Sequence, residues 1–115
     1  MRTRNDLGAH GELLASAWLL GQGIDVFRNV SPSGPVDLVA RDRDTGETIS
    51  VDVKAITFSD ADMARGRRYL NITHREPGIH YIVVVNGTVI GFCRHPIQPD
   101  RSDEIYWPFN QGQAA

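Results

Sequence analysis

Residues 34–55 read GPVDLVARDRDTGETISVDVKA, and the alternation in this stretch decides the fold. Val36, Leu38 and Ala40 fall on one side of an extended chain, and Asp37, Val39 and Arg41 on the other. In the second half Ile49, Val51 and Val53 alternate with Ser50, Asp52 and Lys54. Two period-2 runs joined by Arg43-Asp44-Thr45-Gly46, a turn-forming tetrad, predict a β-hairpin. Its register follows from bringing the apolar sides together, because a slip of one residue would turn one strand inside out. Val36 then lies opposite Val53, Leu38 opposite Val51, and Ala40 opposite Ile49. The same register sets Asp37 opposite Asp52, with Lys54 further along the same face. Directly opposed side chains have Cβ atoms about 4.5–5.5 Å apart. Two carboxylates at that spacing repel unless a cation or a proton lies between them.

Outward from the hairpin, the chain is mixed. Leu7, Leu14, Ala17, Trp18 and Leu20 recur at helical spacing and predict a helix over about 6–20. Asn5 or Asp6 is the expected N-cap, and Gly21 or Gly23 the left-handed residue at the C-terminal end. Gly8 and Gly11 each cost such a helix about 1 kcal/mol relative to alanine, which close packing against a neighbour would explain. Residues 24–30 alternate as a strand, with Ile24, Val26 and Val30 on one side. Ser59 and Asp62 are spaced as a capping box for a short helix over 59–66. Residues 80–85 and 88–94 are apolar runs around Asn86-Gly87, the strongest short-range hairpin signal. The tail after Pro96 carries Tyr106, Trp107 and Phe109. Helix, three strands, a helical segment and further strands make an α+β (α/β) domain: one mixed sheet flanked by helices.

Composition narrows the function class. The chain has 115 residues, which fits one domain able to bury a core without staples. Hydrophobic residues make up 41% and charged residues 23%, as expected of a folded globular chain and not of a disordered one. No apolar run approaches the roughly 20 residues of a membrane helix, and the N-terminus lacks the pattern of a secretory signal. The lone Cys93 leaves no intrachain disulfide and no cysteine-based zinc cluster, so a reduced, cytoplasmic setting is expected. The net charge is −2, so no global basic field advertises nucleic acid. Of 12 basic residues all but Lys54 are arginine, a bias that codon usage can produce, which draws attention to where the one lysine stands.

Two carboxylates and a backbone carbonyl suit a hard divalent cation such as Mg²⁺. An ammonium group beside them can hold or deprotonate a metal-bound water, and lysine, unlike arginine, can shift its pKa for that task. Such parts describe metal-assisted phosphodiester hydrolysis. The motifs GPVDLVA (34–40) and ISVDVKA (49–55) resemble the PD-(D/E)xK nuclease superfamily, the restriction-endonuclease-like fold shared with archaeal-type Holliday-junction resolvases. The upstream segment GAHGELLASAWLLGQGIDVFRNV (8–30) resembles the first helix and strand of resolvase-like members. The resemblance covers about residues 5–56. It implies an αβββαβ core and a small DNA endonuclease dependent on Mg²⁺ or Mn²⁺, with no small-molecule cofactor. It implies that Asp37 and Asp52 ligate the metal, that Val53 offers its carbonyl oxygen, that Lys54 activates water, and that Glu12 completes the site. Two departures stand out: Pro35 is one place further from the acid than in the family pattern, and Asp52 replaces the commoner glutamate. A nuclease fold without turnover, used as a nucleic-acid- or protein-binding module, is the alternative.

Further candidates are fewer. Arg65, Arg67, Arg68, His74 and Arg75 form the one local basic cluster, readable either as a solvated surface or as a strip of phosphate contacts. Tyr69 in the same stretch suits core packing better than base stacking. His10, His74, His80 and His95 lack metal-ligand spacing, and Ser16 and Cys93 read as packing residues. Cutting two strands needs two sites, and the apolar run 81–85 with the aromatic tail exceeds what a small domain would cover, so a homodimer through the C-terminal half is expected. The competing arrangement is a monomer whose tail wraps over its own sheet.

Overall fold

The computed structural model describes residues 3–31, 34–57, 59–61, 76–94 and 105–109. Helix α1 (Arg4–Leu20) precedes strands β1 (Ile24–Arg28), β2 (Leu38–Asp42), β3 (Thr48–Ile56), β4 (Ile79–Val85), β5 (Thr88–Cys93) and β6 (Ile105–Tyr106). The strands form one six-stranded sheet in sequence order. All neighbours are antiparallel except β3 and β4, which run parallel. A parallel pair needs a long crossover, and residues 57–78 supply it. The architecture is therefore mixed α+β.

The helix starts earlier than the sequence suggests. Its cap is neither Asn5 nor Asp6 but Thr3, whose hydroxyl accepts from the Asp6 N–H while the Asp6 carboxylate accepts from the Thr3 N–H. This reciprocal box satisfies two of the helix's orphan donors. At the other end Gly21 is right-handed and Gly23 takes the positive φ of 81°. The buried line of α1 is Gly11, Ala15 and Leu19, spaced four residues apart, while Ala17 and Leu20 are exposed. Small residues at 11 and 15 let the helix sit directly on the sheet: a Cβ added at Gly11 would lie 2.6 Å from the Ala55 Cβ. Gly8 has no such neighbour among the described residues.

The central hairpin has the expected register, with Leu38 opposite Val51 and Ala40 opposite Ile49. Its turn is held by the buried Asp42, whose carboxylate accepts from the N–H groups of Asp44 and Thr45. Pairing stops at Leu38, so the ladder does not extend to Val36–Val53 or Asp37–Asp52. Strand β1 is shorter than expected, ending at Arg28, and Val30 is 99% exposed rather than on an inward face. The second hairpin turns at Asn86 (φ 49°) and Gly87 (φ 80°), the two left-handed residues of a type I′ turn. A bulge between Val83 and Val84 shifts its register.

The main core lies between α1 and the sheet: Ala15, Leu19, Ile24, Leu38, Ala40, Val51, Ile82, Val84 and Phe92, with Val53 and Ala55 at its margin. The tail belongs to this core. Strand β6 pairs with β5, Phe109 is buried, and Trp107 packs edge-on against Trp18 and Phe92. Of the tail aromatics behind the dimer expectation, Phe109 is buried in the chain and Tyr106 and Trp107 are half-buried. On the other sheet face Val83 and the buried Cys93 form a smaller cluster. Asp60 and Ala61 open the expected helix over 59–66; the rest of it lies outside the described residues, as do Arg65, Arg67, Arg68, Tyr69, His74, Arg75 and His95. No helix among the described residues is long and apolar enough to cross a membrane.

Candidate active site

Strand alternation turns Val51, Val53 and Ala55 of β3 towards α1 and Asp52 and Lys54 the other way. Asp52 is 8% exposed, an expensive place for a carboxylate. The Lys54 Nζ stands 2.9 Å from its Oδ2. Beyond this ion partner, no hydrogen bond to the buried Oδ2 is made by the described residues. Burial pushes the Asp52 carboxyl up to about 6; Lys54 opposes the rise, and a carboxyl–carboxyl interaction with Asp37 adds to it.

Asp37 precedes β2 and joins the two halves of the site. Its Oδ2 accepts from the Val53 N–H at 2.7 Å, which brings its carboxylate alongside Asp52. Glu12 comes from α1, on the face opposite Asp52. Its carboxyl is raised above the ordinary range by burial first and then by the Asp37 charge, while Arg28 opposes the shift. Glu12 and Asp37 share a cleft of about 200 Å³ with Arg28, Asn29, Ser31 and Gly34.

The four expected site residues therefore form a trio and a single acid that meet at Asp37. The tight unit is Asp37, Asp52 and Lys54. Glu12 faces Asp37 across the cleft, and no group of three His, Cys, Asp or Glu side chains that could hold a metal ion is assembled among the described residues. The oxygen donors that suit a hard cation are the Asp37 and Asp52 carboxylates, and the buried Oδ2, with no hydrogen bond beyond its Lys54 contact among the described residues, fits such an ion. Ser16 does not line the cleft by its hydroxyl, which donates to the Glu12 carbonyl at 2.7 Å. His10 lines a separate recess with Leu7, Leu14 and Ala55. His80 has its pKa lowered by burial and meets the Tyr106 hydroxyl; it lies on β4 opposite Val51, two strands across from β2.

Two cleft residues escaped the sequence reading. Arg28 ends β1 with its charge near Glu12. Asn29 lies at the head of the loop leading to Asp37. The signal was the Arg28-Asn29 pair directly after an edge strand and before a Pro- and Gly-rich loop, a place where an amide side chain commonly organises backbone.

No family model matches the chain, and no solved structure matches it. A UPF0102 protein of Beutenbergia cavernae is 47% identical to it over 57 residues, an alignment spanning 47% of this chain. The chain covers 46%, under half, of that relative's length, so the likeness joins the two proteins over one segment.

Proposed function

We propose that this domain is a metal-dependent endonuclease of the PD-(D/E)xK type that hydrolyses DNA phosphodiester bonds, with a restriction-endonuclease-like core. The observation that carries the reading is the Asp37–Asp52–Lys54 unit: two carboxyl groups held together, one of them buried, with the chain's only lysine against it. A fold has no structural need for such a group, because an apolar trio would be cheaper to bury. Strained charge pairs of this sort mark functional sites.

Asp37 and Asp52 would hold Mg²⁺ or Mn²⁺, with the Val53 carbonyl as a third oxygen and Glu12 reaching the site through water from across the cleft. The ion, when bound, supplies charge to polarise the phosphodiester and to acidify a water. The residues of the chain do the rest. Metal binding needs Asp52 ionised, and ionisation frees its carboxylate from sharing a proton with Asp37. Lys54, in contact with the Asp52 carboxylate, would orient the attacking water and steady charge on the phosphate. Arg28 lies where it can meet a neighbouring phosphate oxygen. Junction cleavage of the resolvase kind, with selectivity for nucleic-acid shape, is one form that this activity would take.

The test is a cleavage panel of branched, duplex and single-stranded DNA with Mg²⁺ or Mn²⁺, comparing wild type with Lys54→Ala and Asp52→Asn. Metal-dependent cleavage lost in both variants supports the reading. Binding without cleavage of any substrate by the folded wild type would overturn it in favour of a binding module.

A further inference from the structure

We propose that Asn29 is a positioning residue: by taking the Val36 carbonyl out of the sheet ladder, its side-chain amide opens the place that the Asp37 carboxylate fills in the active site. The proposal deepens the nuclease reading and rests on it only for its consequence in cleavage. It starts from the pattern of the hairpin. The Asp42 N–H donates to the Glu47 carbonyl, so the even-numbered residues of β2 turn their backbone groups towards β3. With Leu38 opposite Val51, the next rung of a regular ladder would join the Val53 N–H to the Val36 carbonyl. That rung is replaced. The Val53 N–H donates instead to Asp37 Oδ2 at 2.7 Å, and the Val36 carbonyl accepts from Asn29 Nδ2 at 2.8 Å.

The exchange is complete, since neither backbone group loses its bond. Asn29 is braced for the task. Its Oδ1 accepts from the Ser31 N–H at 2.8 Å, and its own N–H donates to the Asp37 carbonyl at 3.0 Å. The Asp37 N–H in turn is drawn towards β3, donating to the Val51 carbonyl at 2.9 Å. The carbonyls of the peptide groups on either side of the acid's Cα, those of Val36 and of Asp37 itself, are thus tied by one asparagine, and the acid's side chain does the work of a ladder carbonyl. A carboxylate accepting a backbone N–H forms a stronger, charge-assisted bond than a carbonyl does, so the exchange fixes the Asp37 side chain in place next to Asp52. Without the amide donor, the Val36 carbonyl returns to Val53 and the carboxylate is displaced from the metal-binding position.

The experiment uses the full chain and follows the Val53 backbone amide by NMR, with Mn²⁺ binding measured by calorimetry in parallel. The expected result is that Asn29→Ala moves the Val53 amide proton upfield, as Asp37→Asn does, and weakens Mn²⁺ binding about tenfold or more, as loss of a residue supporting a metal ligand does. Asn29→Asp keeps the acceptor for Ser31 but loses the donor to Val36, so it should move the Val53 signal in the same way. A folded Asn29→Ala or Asn29→Asp protein whose Val53 amide stays at the wild-type position would overturn the proposal. Because that readout needs neither cleavage nor metal, a wild type inactive on every DNA would sink the nuclease reading and leave this test standing.

Discussion

Replacing Asp52 with Asn should abolish cleavage and stabilise the metal-free protein. In the native fold the Asp52 carboxyl is held at about 6 instead of its ordinary 3.8, mainly by burial, with Asp37 adding to the rise and Lys54 only partly opposing it. A group raised on folding stabilises below its unfolded pKa and loses that stabilisation as pH rises through its folded pKa. The folded protein therefore carries no penalty below pH 3.8, takes it on between there and about 6, and bears it in full at pH 7.5. A gap of this size corresponds to about 3 kcal/mol. The Asp52→Asn variant keeps the shape and drops the charge. Its Lys54 is 40% exposed and can turn to water when its partner is gone. At pH 7.5 in EDTA the variant should thus be more stable by about 2–3 kcal/mol, or roughly 10 °C in Tm for a domain of this size. Urea denaturation at pH 7.5 and at pH 3.5 separates the causes, because the advantage should vanish at the lower pH. Mg²⁺ at ten times its Kd should return about 1.4 kcal/mol to wild type and little to the variant. A variant no more stable than wild type at pH 7.5 without metal would refute the argument that Asp52 is held at a cost.

Three other perturbations test the frame. Gly11→Ala should destabilise by about 1–3 kcal/mol, since the added methyl meets Ala55 at 2.6 Å, and Ala55→Gly in the same chain should recover part of the loss on thermal melting. Gly8→Ala, with nothing described within 4 Å, should instead stabilise by up to about 1 kcal/mol. Phe109→Ala should cost about 3–5 kcal/mol because the ring is buried in the main core, and light scattering decides between the expected homodimer, at twice the chain's 12.8 kDa, and a monomer whose tail stays on its own sheet, at 12.8 kDa. Removing Arg67 and Arg68 together should weaken DNA binding uniformly across sequences and flatten its salt dependence, measured by fluorescence anisotropy.

Local pattern determined a good part of this protein. The alternation of 36–41 against 49–54 set the register of the central hairpin, because only one offset joins both apolar faces, and Asn86-Gly87 specified the turn of the second hairpin because both positions need positive φ. The same pattern brought Asp37, Asp52 and Lys54 to one neighbourhood. Other features depend on distant chain and were decided by tertiary structure alone. The contact line of α1 runs through Gly11 and Ala15, because depth of approach to the sheet, and not side-chain hydrophobicity, chose the buried face. The tail became a sixth strand because β5 offered it an edge and the Trp18–Phe92 surface gave its aromatics a place to pack. Periodicity also set Asp37 opposite Asp52 in a regular ladder, whereas the folded chain breaks that ladder one residue earlier. There the amide of Asn29 competes for the Val36 carbonyl, and the carboxylate takes the vacated N–H. Hydrogen-bond partners exchanged between three segments have no periodicity, so no reading along the chain could have found them.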